Sequence, residues 1–117
     1  MLKGKEKDFI REQVLNAYYP DWSKLTYAAI KPDYFFDETC QLTVPAALIC
    51  FLESQDYEDC LKLAISLGGD ADTLAAIAGP MAYAYYRFMP QALIDMAKSK
   101  LPQWMLELNE KLDEAVN

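Results

Sequence analysis

The sequence predicts an all-α fold, and three observations carry that prediction. Apolar residues recur at helical spacing along most of the 117-residue chain, and no segment shows a clean period of two. Short turn signals, built on Pro20, Pro32, Gly68 and Pro90, separate the periodic stretches. Length fits one compact domain, so residues 1–117 are read as a single multi-helix unit without repeats or low-complexity linkers.

The elements follow in order. Lys5 to Tyr18 reads as a helix with Ile10, Val14, Leu15 and Tyr18 on one face, ended by Pro20. Ser23 to Ile30 reads as a short helix stopped before Pro32. "DYFFDE" is expected to be extended or irregular. Thr43 or Val44 is expected to cap the next helix, with Pro45 in its first turn, where a missing N–H costs nothing. Ala46, Leu48, Ile49 and Leu52 make that helix apolar on most sides, so it should lie in the core.

Asp56 is expected to cap a helix from Tyr57 to Leu67, with Asp59 at the third position, close to a capping box. Gly68 suits the left-handed position after it. The next helix starts near Asp70 to Asp72 and runs towards Tyr86. Its small residues, Ala75, Ala78, Gly79 and Ala82 among them, should let neighbours approach closely. Pro80 removes a hydrogen bond to the Ala76 carbonyl and is expected to kink it. Gln91 to Lys98 and Pro102 to Ala115 complete the set, with Ile94, Trp104, Met105, Leu108 and Leu112 apolar.

Composition bounds the function. Hydrophobic residues make up 53% of a short chain, more apolar surface than so small a domain buries alone. An exposed apolar face is therefore expected, meeting a partner, a second copy or a further piece of chain. A net charge of −7 argues against nucleic-acid and anionic-membrane partners. No apolar run reaches the ~18 residues of a membrane span. The start "MLKGKEKDF" lacks the apolar stretch of a signal peptide, so a cytoplasmic location is expected, and Met1 reads as the start of an independent frame.

Cys40, Cys50 and Cys60 have no metal-type spacing and read as buried or half-buried thiols. The chain holds no histidine, which removes Ser-His and Cys-His nucleophilic pairs. Tyr83, Tyr85, Tyr86 and Phe88 read as core or interface. Trp22 and Trp104 read as packing anchors. The terminal "EKLDEAVN" reads as a solvated face or a frayed end.

One stretch carries chemistry: "SLGGDADTLAAIAG", Ser66 to Gly79. Asp70 and Asp72 flank one residue, and Thr73 follows. Before a helix, this spacing brings two carboxylates and a hydroxyl towards one point. All are hard oxygen donors suited to Mg²⁺, Mn²⁺ or Ca²⁺. Gly68 and Gly69 let the backbone turn and leave room for a ligand. The other reading is local: an Asp cap and a first-turn Asp stabilise any helix, the cap by about 0.5–2 kcal/mol. Locally, both readings stand. Three protein donors also fall short of the roughly six oxygens Mg²⁺ prefers, and could hardly hold two ions.

"SLGGDADTLAAIAG" resembles the last signature of the ADP-ribosylglycohydrolase family, which includes the dinitrogenase reductase-activating glycohydrolase. "DYFFDETCQLTVPAALICFLESQDYEDCLKLAISLGG" resembles the stretch leading into it. "AYAYYRFMP" resembles the segment after it, typically Ala-Tyr-Tyr-Gly and then Ile-Pro, and "GKEKDFIREQV" the helix before this region. The resemblance covers nearly the whole chain. It implies an all-α fold and hydrolysis of the glycosidic bond joining ADP-ribose to a protein side chain or small molecule. A two-metal centre, generally Mg²⁺, orients the ribose and activates water there.

Carried over, the resemblance makes Asp70, Asp72 and Thr73 the C-terminal metal ligands, and Gly68 and Gly69 the turn presenting them. It also implies departures. The family's early Gly-Asp motif and Thr-Asp-Asp cluster have no counterpart in residues 1–42, where Asp33, Asp37 and Glu38 are acidic without that pattern. Pro80 replaces a small helix-compatible residue, and Arg87 replaces a helix-ending glycine.

The chain is thus expected to match the C-terminal portion of the family fold. It would hold Mg²⁺, or Mn²⁺, weakly or not at all alone, with no catalytic residue assigned. Its expected partners are an ADP-ribose-type ligand and a complementary N-terminal chain or a second copy. The alternative is a non-catalytic interaction or relic domain, dimerising through the face left by the missing N-terminal helices.

Overall fold

A computed structural model describes residues 2–34 and 39–116. The described residues form helices and connecting turns, with no strand among them. Helix α1 (Leu2–Ile10) passes through a π-helical turn (Arg11–Leu15) into the short α2 (Asn16–Tyr18). Helix α3 (Tyr27–Ile30) lies between two 3₁₀ turns, Pro20–Trp22 and Lys31–Asp33. Then come α4 (Cys40–Glu53), α5 (Tyr57–Ser66), α6 (Ala71–Tyr86), α7 (Gln91–Ser99) and α8 (Gln103–Val116).

The core is the packing of α4, α5 and α6, closed by Leu15 and Ile30. Helix α4 is apolar nearly all round, and every residue from Pro45 to Leu52 is buried. Helix α6 meets it and α5 through Leu74, Ala78, Gly79 and Ala82. Small side chains there permit the close approach read from the sequence. The Cys60 thiol donates to the Ala78 carbonyl at 3.7 Å, and a Cβ added at Gly79 would already touch Leu61 at 3.5 Å.

Polar contacts tie the first segment to this core. The Lys7 ammonium donates to the Ser54 carbonyl and, at 2.6 Å, to the Tyr86 hydroxyl. It also sits 5.0 Å from the Tyr86 ring centroid and 5.6 Å from that of Phe51. Tyr86 donates to the same Ser54 carbonyl at 2.7 Å. One lysine thus joins α1 to the ends of α4 and α6. The Arg11 guanidinium donates to the carbonyls of Ser23 and Leu25, at 3.2 and 3.0 Å. These bonds fix the loop before α3.

Several expectations need correction. Helix α4 starts at Cys40 after the cap residue Thr39, so Pro45 lies inside the helix and not in its first turn. Its ring removes the bond to the Gln41 carbonyl, and Gln41 is exposed, so water can take that acceptor. Helix α3 begins at Tyr27, later than Ser23, because the Thr26 side chain caps it by accepting from the Ala29 N–H at 3.2 Å. The first helix carries a π turn that an average period does not reveal. Of "DYFFDE", residues 35–38 lie outside the described residues.

Burial also departs from expectation at two positions. Cys40 is exposed, whereas Cys50 and Cys60 are buried. Trp22 packs against the core, but Trp104 is 61% exposed. Tyr85 and Tyr86 pack against Phe51, while Tyr83 and Phe88 are exposed. Among the described residues, no helix is long and apolar enough to cross a membrane.

Candidate metal-ligand turn

The turn between α5 and α6 is built as the sequence predicts. Asp56 caps α5 by accepting from the Asp59 N–H at 2.7 Å, and Asp59 reaches back to the Gln55 N–H at 2.9 Å. The helix ends at Ser66, with Leu67 as its cap residue, and Gly68 follows at φ +92°. That backbone suits only glycine without strain, and it reverses the chain. The Leu74 N–H then donates to the Asp70 carbonyl at 2.9 Å and opens α6.

Asp70, Asp72 and Thr73 come together here. The Thr73 hydroxyl donates to Asp70 Oδ2 at 2.8 Å. The Thr73 N–H donates to Asp72 Oδ1 at 2.9 Å. Asp70 occupies the cap position, yet its side chain accepts no capping bond from the helix backbone. Its carboxylate is held by a hydroxyl instead, which is not how a capping aspartate works. The purely local reading of the Asp70 side chain therefore loses its expected bond.

Asp70 and Thr73 are half-buried and Asp72 is exposed. The Asp72 carboxyl is held below its ordinary pKa, first by hydrogen bonding with the Asp70 carboxyl and then by the Thr73 N–H. It is therefore anionic at neutral pH. Two carboxylate groups beside one hydroxyl suit a hard divalent cation. They supply only part of its shell. Among the described residues, no group of three or more His, Cys, Asp or Glu side chains could hold a metal ion.

Beside Gly69 the room that a glycine leaves is taken by a side chain of this chain. A Cβ there would collide with Cε2 of the Tyr34 ring, whose Cδ2 would lie at only 3.0 Å. The space glycine frees is filled by Tyr34. Gly68, by contrast, has nothing near its Cβ direction. Sequence reading missed Tyr34, because the contact spans 35 residues and no local period encodes it. The same ring lines a cavity of about 280 Å³ with Trp22, Leu25, Ile30, Asp33 and Leu42. Asp33 belongs to that cavity wall, while Asp37 and Glu38 lie outside the described residues.

Comparison with known proteins bears on this arrangement. The family model described as ADP-ribosylglycohydrolase matches residues 5–117. An uncharacterized protein of Archaeoglobus fulgidus is 34% identical over 71 residues, which are 61% of this chain and 23% of that relative. This chain thus aligns with about a quarter of the relative's length. No solved structure matches. A match over nearly the whole chain, together with the Gly-Gly-Asp-x-Asp-Thr turn in its expected place, decides the family: the chain belongs to the ADP-ribosylglycohydrolases.

Proposed function

We propose that Asp70, Asp72 and Thr73 form one side of a divalent-cation site, generally Mg²⁺ or Mn²⁺, that serves hydrolysis of an ADP-ribosyl glycosidic bond. The remaining ligands come from outside the described residues, in the manner of an N-terminal portion of the family fold. The observation that supports this reading is the Thr73 hydroxyl on Asp70 Oδ2 at 2.8 Å, beside the anionic Asp72. Three oxygen-bearing side chains are thereby gathered at one end of α6 without capping it through Asp70.

When bound, a cation of this kind orients the ribose and lowers the pKa of an attacking water. The chain's own residues position and neutralise. Asp70 and Asp72 bring negative charge to one point, and Thr73 fixes the orientation of both carboxylates. Gly68 sets the reversal that presents them. No general acid or base is assigned within residues 1–117. An ADP-ribose-type ligand would make most of its contacts elsewhere.

The test is complementation. The chain is mixed with a separately expressed N-terminal portion of a full-length family member, and ADP-ribose release is measured. Activity that appears on mixing and drops at least about 100-fold with Asp72→Ala supports the reading. No gain on mixing contradicts it and favours the non-catalytic alternative, in which the ligand residues are idle.

A further inference from the structure

One segment of the chain, from Tyr27 to Tyr34, holds the end of α5 and the turn after it. At its start, the Tyr27 hydroxyl donates to the Leu63 carbonyl at 2.8 Å. The Tyr27 N–H donates to a carboxylate oxygen of Glu53, the last residue of α4. Ile30, in the middle, belongs to the buried core. At its end, Tyr34 follows the 3₁₀ turn Lys31–Asp33, and its N–H donates to the Lys31 carbonyl at 3.4 Å. The ring of Tyr34 then bears on Gly69: a Cβ there would lie 3.0 Å from Cδ2 and 3.3 Å from Cζ. Leu63 stands before the end of α5 at Ser66, and Gly69 stands after it. The two tyrosines thus brace the loop from both sides of the helix end.

The loop needs such a brace. Two successive glycines have more backbone freedom than any other pair. Gly68, at φ +92°, has nothing within 4 Å of its Cβ direction. From the helix side, the Thr73 hydroxyl holds Asp70 Oδ2 at 2.8 Å. From the other side, the Tyr34 ring presses on Gly69, the chain neighbour of Asp70. Mg²⁺ takes oxygen donors at about 2.0–2.1 Å in near-octahedral array, so a donor displaced by about 1 Å leaves the shell.

We propose that Tyr34 is a positioning residue of the cation site. Its ring, wedged against Gly69, fixes where Asp70 stands relative to Asp72 and Thr73. This role rests on the cation reading of the turn. The ring acts through the Gly69 backbone, and Asp70 remains the donor. Leu25 supplies the contrast: it lines the same cavity as Tyr34, but the three atoms nearest a Gly69 Cβ all belong to Tyr34.

The 117-residue chain and its variants are titrated with Mg²⁺, with Kd read from the amide NMR shifts of Gly69 to Thr73 and helix content from circular dichroism. Tyr34→Ala and Tyr34→Leu should each weaken binding about tenfold. Tyr34→Leu keeps an apolar side chain on the cavity wall but lacks the Cε2 and Cζ atoms that meet Gly69, so it decides the matter where Tyr34→Ala loses helix content. Tyr34→Phe keeps the ring and should stay within about twofold of wild type. Leu25→Ala should lower stability and leave Kd unchanged. Without cation, exchange of the Leu74 amide, bonded to the Asp70 carbonyl at 2.9 Å, should quicken more in Tyr34→Leu than in Leu25→Ala. A wild-type chain that binds no Mg²⁺ overturns the cation reading and this role together. Wild-type binding that persists in Tyr34→Leu overturns the role of Tyr34 alone. So does an equal loss in Leu25→Ala, which marks general destabilisation, or in Tyr34→Phe, which marks the hydroxyl.

Discussion

Arg87 holds the left-handed conformation at the end of α6, with φ 56° and ψ 29°, and its N–H donates to the Tyr83 carbonyl at 2.8 Å. A residue with a Cβ costs about 1–2 kcal/mol there, and glycine avoids that cost while losing some chain entropy. Arg87→Gly should therefore stabilise the fold by about 0.5–1 kcal/mol and raise Tm by a few degrees in a thermal melt. A lower Tm would mean that the arginine side chain contributes something its exposure hides.

The cysteines make a second residue-scale case. Burial pushes Cys50 to about 12, with the Cys60 charge and then Glu53 adding to it, and pushes Cys60 to about 11 against the opposing pull of the Ser54 hydrogen bond and Lys7. Below the ordinary thiol value both folded and unfolded chains carry neutral thiols, and the full stability is present. As pH rises, the unfolded chain ionises first, so stability falls from about pH 9 towards 12. At pH 8, a thiol reagent should modify Cys40 quickly and the other two only after unfolding. Three fast thiols would contradict the buried placement.

Among the elements, the reading from sequence succeeded where local chemistry decides. Asp56 with Asp59 and Gly68 mark the two ends of α5, and each signal acts within four residues of itself. It failed where the tertiary environment decides. Pro45 reads as a first-turn residue by its local preference, yet α4 already starts at Cys40, and the exposed Gln41 carbonyl lets the helix tolerate the bond that proline removes. Trp104 looked like a packing anchor because size alone suggests burial, and only the fold shows that α8 faces it outward.

The loop between α5 and α6 yields the element-scale prediction. Because Tyr34 fills the space beside Gly69, Gly69→Ala must displace the ring from the cavity wall. The expected cost is about 1–3 kcal/mol in a denaturant titration. Tyr34→Ala in the same background should recover part of that loss, giving a clear coupling energy in a double-mutant cycle. Additive effects would show that the ring moves freely.

For the whole molecule, the sequence sufficed for the family. The Gly-Gly-Asp-x-Asp-Thr turn is contiguous, so the residues proposed as ligands are neighbours in the chain as well as in space. What eluded it are contacts between distant segments: Tyr34 on Gly69, and Lys7 on Ser54 and Tyr86. The central claim is the proposal that the turn forms one side of a cation site, with the Asp70 carboxylate, which does not cap its helix, among the donors. Calorimetric titration of Mg²⁺ into this chain, beside Asp70→Ala, tests it most directly. The account predicts one weak site, with Kd near the millimolar range, that disappears in Asp70→Ala while the fold persists. Mg²⁺ binding of equal strength in both proteins would contradict it.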